Sequence, residues 1–187
     1  PNKWLVALGN SWTELFRNVP LLVQIFLWYH VVPALIPPLR GVPSFILVVL
    51  GLGLFTSARI SEQVRAGIQS LPRGQRLAGM ALGLREPQVY RYVLLPMAFR
   101  IIIPPLTSET MNLIKNTSVA LTIGLIELTA AGRSMQEFSF QVFEAFTAAT
   151  VIYILVNLVA VTFMRWFEKR VAVPGFIGPA AVGGGGH

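Results

Sequence analysis

The sequence predicts an all-α integral membrane protein, and three observations carry that expectation. First, 54% of its 187 residues are hydrophobic and only 12% are charged, about half the charge of an ordinary soluble domain. Second, it holds several uncharged stretches near the roughly 20 residues that a helix needs to cross a bilayer core. Third, its basic residues are unevenly placed. Arg59, Arg65, Arg73, Arg76, Arg85, Arg91 and Arg100 fall in one segment, opposed there only by Glu62 and Glu86. In a membrane protein such a cluster marks the cytoplasmic side. The formal net charge of +7 therefore reads as topology, not as affinity for nucleic acid.

Four spans are expected, at about residues 18–38, 42–64, 100–126 and 144–166. The first has Pro20 near its start and Pro33, Pro37 and Pro38 near its end, positions where proline suits a helix boundary. A short Pro-rich link leads into the second, so the two are antiparallel neighbours. The third contains Glu109 and Lys115 and opens with Pro104 and Pro105. Such a polar span is expected inside a bundle, since it does not tolerate lipid on all sides. The fourth carries no charge from Ala145 to Met164 and ends in Arg165, Glu168, Lys169 and Arg170. With four spans, Lys3, Arg17 and this last cluster share the side of the arginine-rich segment. The opposite loops hold only Arg40 and Arg133 among basic residues, with Glu127, Glu137 and Glu144 around the latter.

The connection at about residues 65–99 reads as helix. Leu71-Pro72-Arg73-Gly74 is a break. Gln75 to Leu84 is rich in helix formers, interrupted by Gly79 and Gly83. Glu86-Pro87 opens a second short helix with Val89, Tyr92, Val93 and Leu94 at helical spacing, and Leu95-Pro96 is expected to end it. Two readings stay open for this pair: an anchor on anionic lipid, or a docking element for a soluble partner. Gly83 can serve close backbone approach or a left-handed turn between the two short helices. A side chain there is expected to clash or strain.

Ionisable groups inside a span face a pathway, a cavity or each other. Helical spacing places Glu109, Asn112 and Asn116 on one face, and Lys115 on a stripe with Ser108, Met111 and Ser118. Polar, broken helices near the midplane are where transporters hold substrate, and Pro104-Pro105 is a candidate break. Lys115 suits a substrate carboxylate and Glu109 an ammonium group. The alternatives are a structural pairing within the bundle, or a Lys115 at the interface. Elsewhere, Trp28, Tyr29 and His30 read as an aromatic belt. Gly51, Gly53 and Ala58 read as a close-packing face, and Glu14 with Arg17 as an i, i+3 pair.

Several chemistries are excluded. With no cysteine there is no disulfide or thiolate site. There is no Gly-rich phosphate loop. All the acidic residues are glutamate and only two histidines exist, His30 and His187, so neither a hydrolytic triad nor a metal cluster is expected. The chain starts at Pro1 without a signal-peptide pattern, and the simplest reading is a piece lacking an upstream part. The Gly-rich end, residues 179–187, is set aside as a flexible tail after a permease-type body at residues 1–178.

The 65–99 connection resembles a known family. Membrane subunits of binding-protein-dependent ABC importers carry Glu-Ala-Ala, three residues, Gly, nine residues, Ile, one residue, Leu-Pro. Here Leu77-Ala78-Gly79 is followed at the same spacing by Gly83, Val93 and Leu95-Pro96. The departures are Leu77 for Glu, Gly79 for the second Ala, and Val93 for Ile. The likeness extends to Glu14 through Pro20, Glu62 through Pro72, Asn112 through Ser118 and Val173-Pro174-Gly175, and is nearest to the glutamate/aspartate members of the polar-amino-acid branch. It implies a type I ABC importer permease fold (MetI-like), with four of five core helices present and the first missing. It implies an ATPase-docking role for Leu77, Ala78, Gly79, Gly83, Val93, Leu95 and Pro96. The chain would be a translocation subunit, not an enzyme, and would bind no cofactor or metal itself, ATP and Mg being used by the partner. Implied partners are two ABC ATPase subunits, a sister or identical permease, a periplasmic or extracellular amino-acid-binding protein and membrane lipid. The implied location is the bacterial cytoplasmic (inner) membrane, crossed several times. An ATP-independent secondary transporter or channel is the competing class. It would show internal repeats, and none is visible.

Overall fold

The computed structural model describes residues 3–171; Val173-Pro174-Gly175 and the 179–187 tail lie outside them. The described residues form helices joined by short turns: α1 (Lys3–Asn18), α2 (Leu21–Leu35), α3 (Ser44–Gln69), α4 (Arg73–Ala81), α5 (Glu86–Ile123), α6 (Leu128–Ser139) and α7 (Val142–Val171). Three of these, α3, α5 and α7, are long and apolar enough to cross a membrane. A fourth crossing exists only if α1 and α2, bent by 101° at Pro20, count as one span.

Several boundaries differ from the sequence expectation, and proline explains the largest. The expected third span is the distal part of α5, a helix of 38 residues that starts at Glu86. It runs straight through Pro96, where the sequence suggested an end. Proline removes one N–H and crowds the carbonyl four residues earlier. The helix absorbs this by widening into a π turn at Tyr90–Leu94, just ahead of Pro96. The same solution recurs in α2, where the π turn Leu27–Val31 precedes Pro33. Nor do Pro104 and Pro105 break α5, which stays α-helical across both. Its last turns, Thr117–Ile123, tighten to 3-10 geometry. There Thr117, Ser118 and Thr122 each donate a hydroxyl to the carbonyl three residues back. Gly124, at φ +78°, ends the helix.

The described chain divides into two compact units. One comprises residues 3–62 with 109–160, the other 63–108 with 161–171. In the first, α1 is fixed at its turn by Gln24, whose Nε2 donates to the carbonyls of Phe16 (2.7 Å) and Val19 (2.9 Å). Trp12 Nε1 donates to Ser57 Oγ at 3.1 Å, and Arg17 pairs with Glu62 across to α3. The expected Arg17–Glu14 pair therefore gives way to a longer-range one. Ile25, Val48, Leu52 and Ala120 make the buried core of this unit. Gly51 is buried because a Cβ there would reach Ile25 and Trp28 at 3.1 Å. Gly53 faces open space and takes no part in that packing.

Helix α6 was not expected, and α1 only at its end, through the i, i+3 spacing of Glu14 and Arg17. The start of α6 is built by Glu127, whose carboxylate accepts from the N–H groups of Thr129 (2.8 Å) and Ala130 (2.7 Å). Tyr153 on α7 donates its hydroxyl to the same carboxylate at 3.0 Å. Gly132 then lies against Ala149, where an added Cβ would sit 3.3 Å from the Ala149 methyl.

Candidate functional site

In the second unit, α4 ends in a turn that Gly83 makes possible. Gly83 has φ +81°. Its N–H donates to the Met80 carbonyl (3.0 Å), and the Leu84 N–H donates to the Gly79 carbonyl (3.2 Å). These are the paired 5→2 and 6→1 bonds of a left-handed helix cap. An added Cβ on Gly83 would meet no atom within 4 Å. The constraint is conformational, and the expected clash is absent. Close approach is instead the role of Gly79. It is buried, and a Cβ there would press on both Val89 methyls at 3.1 Å. The glycine that departs from the family's alanine thus lets α4 settle on the start of α5.

Two further contacts hold this corner. Arg76 forms an ion pair with Glu86, and the Arg85 N–H donates to Gln88 Oε1 at 2.8 Å. Beneath lies a small core of Leu71, Val89, Leu94, Ala98 and Ile102. Gly67 joins it, since a Cβ there would overlap the Ile102 side chain. Val93 and Leu95 are half-buried, whereas Pro96 and Ala78 are exposed. What remains outward is apolar: Leu77 is 64% exposed, Leu82 is 82% exposed, and Met80 and Tyr92 accompany them. Exposed apolar side chains on a rigid turn flanked by arginines are a shape that another surface can grip.

In the first unit, Glu109 on α5 is only 3% exposed. Arg59 on α3 donates its Nε to Glu109 Oε1 at 2.6 Å, and its guanidinium lies 5.8 Å from the Phe55 ring centroid. A buried carboxylate needs a partner of opposite charge; here it comes from a residue that the sequence placed in the cytoplasmic arginine cluster. Asn112 and Asn116 are half-buried on the same helix, while Lys115 is exposed. Lys115 has no ion-pair partner among the described residues. The structure thus brings Glu109 to Arg59, not to Lys115. The available signal was the lone carboxylate itself. Arg59 lies between the apolar residues of a helix that continues ten residues beyond it to Gln69.

Comparison with known proteins decides the family. Residues 1–173 match the family described as the binding-protein-dependent transport system inner membrane component. The chain belongs to this family. This permease is 49% identical over 188 residues to the glutamate/aspartate import permease protein GltJ of Escherichia coli strain K12, covering 95% of the chain and 76% of that relative. It is 36% identical over 166 residues to the probable amino-acid ABC transporter permease protein PatM of Vibrio harveyi, covering 89% and 74%. To the glutamine transport system permease protein GlnP of E. coli K12 it is 34% identical over 160 residues, covering 86% and 73%. Among solved structures it resembles a chain of an amino acid ABC transporter crystallised with histidines. That match has a TM-score of 0.79 at 31% identity and covers 90% of this permease and 78% of that chain. The permease is accordingly a multi-pass membrane component of an ABC importer for amino acids, and its MetI-like fold agrees with the expectation from the arginine-rich connection.

Proposed function

We propose that this permease carries glutamate or aspartate across the bacterial inner membrane and is driven by ATP hydrolysis in a separate subunit. The observation that carries the coupling part is the α4 corner. A rigid turn, fixed by Gly83, Gly79 and the Arg76–Glu86 pair, offers Leu77, Met80 and Leu82 outward. It joins α5, which runs without a break from Glu86 to Ile123 and bears Glu109, Asn112, Lys115 and Asn116. A push on the corner therefore enters the same helix that carries the polar in-span residues.

In this reading Leu77, Ala78, Gly79, Gly83, Val93, Leu95 and Pro96 form the docking element, and an ABC ATPase, present twice, receives it. The ATPase uses ATP and Mg; the permease holds neither. A sister or identical permease completes the pathway, and an external binding protein delivers the amino acid. Glu109, Asn112, Lys115 and Asn116 line that pathway. The acidic substrate rests on the 49% identity to the E. coli glutamate/aspartate permease. The test is Gly83→Asp in the full-length subunit. The variant is expected to reach the membrane in normal amount but to lose ATP-driven uptake and copurification of the ATPase. Normal ATP-driven uptake would refute the docking assignment.

A further inference from the structure

Arg59 has more donors than Glu109 uses. Fifteen residues of helix separate it from Ser44, about 22 Å of rise against a hydrocarbon core of about 30 Å. At that depth a guanidinium facing lipid is costly, so the group must face protein, water or a ligand. Its Nε is engaged by Glu109 Oε1 at 2.6 Å, and its Cζ lies 5.8 Å from the centroid of the Phe55 ring one turn earlier. The Nη1–Nη2 edge has no acceptor among the described residues, and the side chain is 40% exposed. A guanidinium held at one edge with the other open is a preorganised fork for a carboxylate.

Charge points the same way. Arg59 and Lys115 are cationic and Glu109 is anionic, so the in-span set sums to two minus one, or +1. An acidic amino acid, with two carboxylates and one ammonium, carries −1. We infer that Arg59 is a specificity residue of the pathway: Glu109 fixes its Nε edge, and its Nη1–Nη2 edge receives a carboxylate of an acidic amino acid in transit. The inference rests on the amino-acid permease reading and names the group that would select the acid over its amide.

The test uses the complete transporter in nanodiscs, with the full-length subunit and without the binding protein. Binding of labelled glutamate is measured with glutamine as competitor, and copurification of the ATPase reports assembly. The wild type is expected to prefer glutamate. Arg59→Gln with Glu109→Gln removes both charges and leaves no buried carboxylate unpaired. This double variant should assemble, bind glutamate about tenfold to a hundredfold more weakly, and no longer favour it over glutamine. Recovery of wild-type glutamate binding in the double variant would mean that Arg59 only neutralises Glu109, and would overturn the inference. Arg59→Lys keeps the charge but loses the fork. It decides the case if the double variant does not assemble: weaker glutamate binding is expected, and unchanged binding overturns the claim. A wild type that assembles with its ATPase but binds glutamate no better than glutamine overturns the inference while leaving the ABC reading intact. Failure to copurify any ATPase would strike that reading itself.

Discussion

Single residues settle where the helices touch. Glu127 does two tasks with one carboxylate. It caps α6 through Thr129 and Ala130, and it accepts the Tyr153 hydroxyl from α7. Glu127→Ala removes the cap and one of the two partners of the Tyr153 hydroxyl, which keeps Thr129 Oγ1 at 3.1 Å. Loss of a cap alone costs about 1 kcal/mol, and the lost Tyr153–Glu127 hydrogen bond adds about 0.5–1.5 kcal/mol. The expected outcome is a lower unfolding temperature of the purified complex, with Tyr153→Phe giving a smaller drop; no change in either variant would remove the carboxylate's structural role. Gly67 is the matching case in the second unit. Any side chain there must displace Ile102, so Gly67→Val is expected to cost about 1–3 kcal/mol through overpacking. Thermal unfolding checks it, and a neutral result would show that Ile102 yields freely. Residue types could not announce these contacts. By spacing Glu14 is the local partner of Arg17, yet Glu62, 45 positions away, takes it. Local rules see only neighbours along one helix, and the second helix decides.

Elements obey the sequence where composition is extreme and depart from it where proline is met by a change of helix type. The apolar stretches of α3 and α7 were legible directly, because uncharged runs near 20 residues have few other uses. The helices α1 and α6 were not, because neither has an uncharged run of spanning length and each mixes Trp or Phe with polar residues, a pattern that a loop also shows. Pro96 misled for a physical reason. A proline is a stop signal only if the helix cannot widen, and the π turn at Tyr90–Leu94 shows that it can. The spacing from Gly83 to Pro96 was readable in full, whereas the division of labour between Gly79 and Gly83 needed coordinates. That division makes a prediction at this scale. Gly83→Ala forces a side chain into the left-handed region at about 1–2 kcal/mol without a steric clash. It should therefore weaken uptake partially and leave expression intact, in contrast to the full loss expected for Gly83→Asp, which tolerates the left-handed region but adds a carboxylate beside the outward Leu82. Equal, complete loss in both variants would say that the site rejects any side chain on contact grounds.

At the scale of the whole molecule, α5 is the part that joins the two themes of the chain. Its start holds the corner formed with α4, and its distal half holds Glu109 and the asparagines. Arg59 was hidden from sequence reading because it lies in a run of arginines that the charge rule assigns to the cytoplasm. Only the Glu109 contact separates it from them. The measurement closest to the central claim is uptake of labelled glutamate into proteoliposomes that contain the full-length subunit, its permease partner and its ATPase, with the binding protein outside. The expected result is uptake that requires ATP, is blocked by aspartate and is insensitive to arginine. Uptake that proceeds without ATP would contradict the claim that this permease is driven by a separate ATPase.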